Sequence, residues 1–362
     1  VGFGLDEFYS LHPAIFKYSP KSNISFIGDI NNYNKSSLNF GDLSKLLGGS
    51  SNLFKKNDLT NNLLNAASSN QERFESFTRF SALNFQHEVN KKLCISGYGI
   101  YSNNDIINKS LSAREYLSDN ASVFETRNDF RDANDSSGIL NLKLDYNPNV
   151  SQKWMYNINY LRNTNSFQQE SLSSSETTGE FFTKANGKGD NFSQNLEGYL
   201  KIDDRHTMGV GLHHSSTNSN STENWSSDTA FLQDFLPLMT ATNYLIQQNG
   251  AVRSEKFNVL IKDYWLASRN FHLFYNVGYN FKNTLIRSNL SQVLADDSNL
   301  DFPEIGNNNR VALSDLNFGL GIKTQIEKFE FILEAKPHYY SFSRAQINSN
   351  NFFIAPKLKI RG

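Results

Sequence analysis

Between Phe271 and Phe281 every second residue is apolar or aromatic: Phe271, Leu273, Tyr275, Val277, Tyr279 and Phe281, with His272, Asn276 and Asn280 at alternate positions. A period of two places successive side chains on opposite faces of a strand and is incompatible with an amphipathic helix. Residues 142–161 repeat the pattern on both sides of a Pro-Asn turn. Leu142, Leu144 and Tyr146 precede it, and Trp154, Tyr156, Ile158 and Tyr160 follow it. Two such runs joined by a tight turn are a β-hairpin. Phe329, Phe331, Leu333, Ala335 and Tyr339 alternate in the same way, as do Phe352, Ile354, Leu358 and Ile360.

Short polar turns recur at residues 19–22, 90–92, 147–151, 203–205, 267–269 and 325–327, roughly 55 to 70 residues apart. Two strands per turn and a terminal strand near residues 352–360 give about 13 strands. Between hairpins lie long stretches rich in Asn, Ser, Gly and Asp. Two segments read poorly. In residues 257–266 one phase contains Asp263 and the other contains Lys262, and from Leu93 to Tyr101 the two faces are similarly apolar.

Sandwich turns tend to recur every 8–12 residues. Here short turns alternate with connections of about 25 to 45 residues, the asymmetry of short periplasmic turns and long extracellular loops in outer-membrane barrels. Strands of ten residues or so suffice to cross a bilayer at a tilt. The expected fold is therefore an all-β antiparallel transmembrane barrel in the bacterial outer membrane, with a soluble β-protein as the alternative. A single barrel unit over residues 1–362 is expected, without a separate plug domain. The odd strand count and the ending at Lys-Leu-Lys-Ile-Arg-Gly suggest part of a larger wall. The first ten residues show no basic region followed by an apolar one, so any export signal is expected elsewhere.

Composition sets limits. Mean hydropathy is −0.52 and 20% of residues are charged, and no run approaches the roughly 18 apolar residues of a membrane helix. That excludes helical spans only, because a barrel strand is polar at alternate positions. A net charge of −1 without clustered Lys/Arg gives no support for nucleic-acid binding. Cys94 is the sole cysteine, which excludes an intramolecular disulfide and a multi-cysteine metal site. Aromatic residues make up 13% of the chain, and Tyr18, Tyr146, Trp154, Tyr156, Trp265, Phe271 and Phe329 cluster near the short turns, where an interfacial girdle is expected.

Residues 12–49 carry an aromatic-x-Pro-Lys turn (Tyr18, Ser19, Pro20, Lys21), an Asn-rich strand around Asp29 to Asn34, Phe40-Gly41-Asp42 and the pair Gly48-Gly49. This segment resembles TonB-dependent outer-membrane receptors of the Bacteroidota. The resemblance implies the mid-portion of a 22-stranded barrel, an N-terminal plug, a TonB box and energised uptake of a scarce solute. No plug or TonB box is recognisable in these residues, so the TonB complex would act through a plug outside this sequence. A passive porin or a barrel scaffold of a surface or secretion complex is the alternative.

Glu330, Glu334, Lys336 and His338 share one strand face and are candidates for ligand contact in the lumen, or for a structural ladder between strands. Phe231, Phe235 and Leu238 belong to the most apolar of the long connections and could contact a ligand or a surface lipoprotein. His213 and His214 are adjacent on a strand, so they point to opposite faces and cannot share a catalytic or metal role. No enzyme activity, cofactor or metal is expected. Outer-membrane lipid and lipopolysaccharide are expected to surround the wall.

Overall fold

In the 142–161 hairpin Tyr146 faces Trp154, Leu144 faces Tyr156 and Leu142 faces Ile158 across the ladder, so their side chains share one face. The computed structural model describes residues 2–3, 8–33, 74–117, 122–174, 178–233, 235–326, 328–344 and 347–361. Its elements are β1 (Gly2–Phe3), β2 (Tyr9–Leu11), β3 (Ala14–Tyr18), β4 (Ser22–Asn31), β5 (Glu75–Asn90), β6 (Leu93–Leu117), β7 (Ser122–Asn149) and β8 (Gln152–Ser174). They continue as β9 (Thr178–Lys201), β10 (His206–Ser227), β11 (Tyr244–Ser268), β12 (Phe271–Val293), β13 (Asn299–Asp301), β14 (Asn307–Ile326), β15 (Phe329–Arg344) and β16 (Ile347–Arg361). All belong to one antiparallel sheet in which the long strands neighbour one another in chain order; β3 pairs with β4 and β13 with β12. Each of the six expected short turns joins two strands. The short strands β1, β2 and β13 are additional.

Side chains within the turns close several of them. Asn90 Oδ1 accepts from the backbone N–H of Lys92 and Leu93, Asn149 Oδ1 from Ser151, and Asp203 Oδ1 from Arg205. These Asx-type bonds satisfy donors that the reversing backbone leaves unpaired, which is why Asn and Asp occupy those positions.

Register assembles the separate alternations into two surfaces. Ile95, Leu144, Tyr156, Leu196, Leu212, Val259, Tyr279, Leu316, Tyr339 and Phe352 form one rung across ten strands. Beside it, on the opposite face, runs Lys143, Asn157, Asn195, His213, Asn258, Asn280, Asp315, Tyr340 and Asn351. The apolar rung is half-buried from Ile95 to Val259 and exposed from Tyr279 onward, with Leu316 at 51% and Phe352 at 66%. Continuous apolar surface on this scale is untenable in water but matches hydrocarbon, where the ladder satisfies every interior backbone group. The apolar face is hereafter the outward one.

Where the sequence suggests long loops, the strands mostly continue. β6 ends at Leu117 and β7 begins at Ser122, while β8 ends at Ser174 and β9 begins at Thr178. At about 3.3 Å per residue, the 28-residue β7 is nearly three times as long as the roughly 10 residues needed to cross the bilayer. These extensions carry Asn, Ser, Thr and charged residues on both faces, so hydrophobic alternation cannot reveal them.

The two ambiguous segments also resolve. Asp263 lies on the outward face, but it is buried beside His206. The strand from Leu93 is apolar on both faces because the inward side of β4–β6 is itself dry. There Ile27, Phe80, Ala82, Tyr98 and Ile100 are all buried. The expectation of a wet inward face thus holds for β7–β16 and not for this corner. Asp29, buried in the same corner, is paired with His12 at 2.8 Å.

Candidate binding face on the inward wall

The inward faces of β14, β15 and β16 carry the charged stripe. Glu330 lies 2.5 Å from Lys323 Nζ and 3.2 Å from Arg361, and Glu334 lies 3.6 Å from Lys357. His338 Nδ1 is 2.9 Å from Asp315 Oδ1, while Asn280 and Asn317 each donate to Asp315 Oδ2 at 3.0 Å. Lys336 stands opposite Ala355, and no ion pair involves it among the described residues. Three of the four expected stripe residues are therefore engaged with neighbouring strands.

Above this ladder His338, Tyr340 and Phe353 stack nearly parallel, with centroids 4.9–5.6 Å apart. Phe353 is 44% exposed, so one end of the stack offers an aromatic surface to the lumen. Beside it the wall is thin. A Cβ at Gly278 would fall 2.5 Å from Asn317 Oδ1, and one at Gly319 would fall 2.5 Å from Asn276 Nδ2. Each glycine thus leaves room for a cross-strand amide to lie over the sheet.

The connection over residues 228–243 is anchored at several points. Phe231 packs edge-on against Phe181 at 5.2 Å. Leu232 adopts φ 58, and its carbonyl accepts from the N–H of Phe235 and of Leu236. Gln292, fully buried, grips Met239 by both amide atoms, accepting from its N–H and donating to its carbonyl at 2.8 Å. Leu236 is buried and Phe235 is 77% exposed, whereas Phe231 is half-buried. Sequence reasoning missed Asp315, Gln292 and Phe353. Asp315 and Phe353 sit at polar-phase positions that the alternation does mark; Gln292 lies in a polar extension with no such signal.

Register places Tyr146, Trp154, Tyr156, Trp265, Phe271 and Phe329 on the outward face near the short turns. Tyr18 differs. It pairs with Asn23 in the inward phase and stacks on Phe16 at 6.5 Å, because β3 enters the ladder with that parity. The Phe40 and Gly48 positions lie outside the described residues. No group of three His, Cys, Asp or Glu able to hold a metal occurs among the described residues. His213 and His214 point to opposite faces; His214 lies 6.2 Å from Phe192.

An antiparallel sheet of long strands, apolar and exposed outside and polar inside, defines the class: an outer-membrane β-barrel wall. No family model matches the sequence, and no curated protein matches it. Similar solved structures include the outer membrane protease OmpT from Escherichia coli, with TM-score 0.29 and 9% identity over 70% of this chain and 86% of that one. Another is the ferric yersiniabactin uptake receptor FyuA from Yersinia pestis, at TM-score 0.41 and 11% identity, covering 98% of this chain and 56% of that one. The RagAB peptide importer aligns at TM-score 0.32 and 8% identity, over 96% of this chain and 51% of that one. The chain thus spans about half the length of these two uptake proteins. The expectation that the chain is not an enzyme is corrected here: a protease stands among the similar structures, so this architecture gives no ground for excluding catalysis.

Proposed function

We propose that residues 1–362 form one barrel-wall unit, without a separate plug domain, of a TonB-dependent uptake receptor of the Bacteroidota. In this reading the unit is part of a 22-stranded barrel. The single observation that carries the reading is the inward polar rung from Lys143 to Asn351, which runs unbroken behind an apolar rung. A wall that is wet inside and greasy outside suits passage of a polar solute through hydrocarbon.

In this reading the exposed Phe235 meets cargo or a surface lipoprotein at the mouth, while Phe231 holds the loop. Glu330, Glu334, Lys336 and His338 line the passage. The TonB complex would act through a plug outside this sequence. The test is uptake by cells carrying the full-length gene, with and without TonB, together with conductance of the purified barrel. TonB-dependent uptake and a closed barrel support the proposal. A steadily conducting pore that functions without TonB would make it a passive porin and overturn the reading.

A further inference from the structure

On the outward side of β5–β8 the apolar surface is interrupted by a groove of about 570 Å³. Its floor is made by Gly99 and Gly138 on adjacent strands, flanked in register by Leu83, Leu140, Tyr101 and Arg162. The groove exists because two side chains are missing there. A Cβ at Gly138 would meet nothing within 4 Å, and one at Gly99 would meet only Ile139 O at 3.9 Å and Leu140 Cδ1 at 4.0 Å. Apolar walls come from Leu83, Leu140 and Tyr160, and the far end is polar, at Ser136, Arg162 and Thr164.

The polar end points away from the short turn at residues 147–151, hence toward the outer leaflet. Arg162 stands 3.8 Å from Asp190, a loose pair, and Asp190 is already held by the Tyr160 hydroxyl at 2.8 Å. Arg162 therefore keeps most of its donors. Nearby Arg79 is committed to Asp105 at 3.0 Å and to Asn103, and Lys188 stands opposite Thr164. With Arg79 offset by Asp105 and Arg162 facing Asp190 only loosely, Arg162 and Lys188 are the cations beside a hydroxyl-bearing rim.

We infer that this groove holds an acyl chain of lipopolysaccharide, with a headgroup phosphate on Arg162 and sugar hydroxyls at Ser136 and Thr164. Inside hydrocarbon an acyl chain gains no hydrophobic free energy by entering a groove, only the dispersion contacts that an unfilled groove forfeits. Selectivity must come from the headgroup, and an arginine fork facing phosphate at the edge of the low-dielectric layer supplies it. The lipid occupies the outside of the wall, so the inference rests on the membrane placement and not on any cargo or on energised uptake.

The test uses the full-length protein in nanodiscs of defined composition, with bound lipid counted by native mass spectrometry. Lipid A, phosphatidylglycerol and phosphatidylcholine are offered separately. Lipid A retention should exceed that of the other two by about tenfold, equivalent to about 1.4 kcal/mol. Gly138→Leu, whose Cβ would meet nothing within 4 Å and whose branched end would occupy the groove, should abolish the excess. Arg162→Gln should erase the preference over phosphatidylcholine. Equal retention of all three lipids, or undiminished lipid A on Gly138→Leu, overturns the inference. Should Gly138→Leu fail to fold, a lipid A bearing a photoreactive acyl chain is cross-linked to the unaltered protein. Label confined to β5–β8 peptides supports the site, and label spread over all strands overturns it.

Discussion

His206 Nε2 lies 2.7 Å from Asp263 Oδ2, on the face of the sheet that otherwise carries Val210, Ile261 and Val277. The aspartate is buried, and the imidazole, with the Tyr275 side chain opposite, is what makes a carboxylate tolerable on a hydrocarbon-facing wall. Removing the imidazole takes away the closest of the groups that compensate the buried carboxylate. His206→Ala should destabilise the folded barrel by about 3 kcal/mol, whereas Asp263→Asn in the same background should recover part of the loss. Urea unfolding in detergent micelles measures both. A His206→Ala variant as stable as the unaltered protein would refute the pairing.

Trp154 lies across Gly198 on the next strand, in space a side chain at 198 would need. Gly198→Val should expel the indole and cost about 1–3 kcal/mol through overpacking. With only three tryptophans in the chain, quenching by lipids brominated at known depths can follow the move. Unchanged quenching would show that the indole does not occupy that position.

Gln292 holds the Met239 backbone by two hydrogen bonds from a fully buried position. Gln292→Leu keeps the volume and removes both bonds, leaving the Met239 groups unpaired. Cleavage by chymotrypsin near the exposed Phe235 should accelerate about tenfold as local opening becomes easier. Hydrogen exchange in β7 and β8, remote from that loop, should not change.

Acid should loosen the far end of β6–β8. Burial opposes ionisation of Asp129, yet hydrogen bonds from Ser171 and Arg127, with the Arg127 charge, outweigh it and hold this carboxyl below the ordinary 3.8. A depressed folded pKa contributes stability that is fully present above 3.8 and is lost as pH falls through the lower folded value. Amide protection factors at the ends of β7 and β8, corrected for the intrinsic exchange rate at each pH, should therefore fall as the pH drops below the ordinary 3.8, and Asp129→Asn should flatten that fall.

How far the sequence foretells this molecule depends on whether a strand has a greasy side. The turns and the strands beside them are readable because Tyr146, Trp154, Tyr279 and Leu316 alternate with polar residues, and register then joins them. Beyond Tyr160 neither phase is apolar, so residues 162–174 look like loop although they pair throughout with β7 and β9. Asp263 obscured its strand because a charge on the outward face is intelligible only once His206 is known to lie beside it. The stripe on β15 was visible as a face, but its partners Lys323, Asp315 and Lys357 come from other strands, and local spacing cannot name them.

The long ribbons standing beyond the bilayer have a consequence for how such a chain can change over generations. In the membrane layer a one-residue slip would turn every lipid-facing side chain inward, so insertion there is forbidden. In the ribbons of β6–β9 both faces meet water, and either parity serves. Their height is thus a free variable: ribbons can grow, shrink or exchange tips while the buried foundation keeps its register, presenting new outlines to phage, antibody or partner without renegotiating the fold.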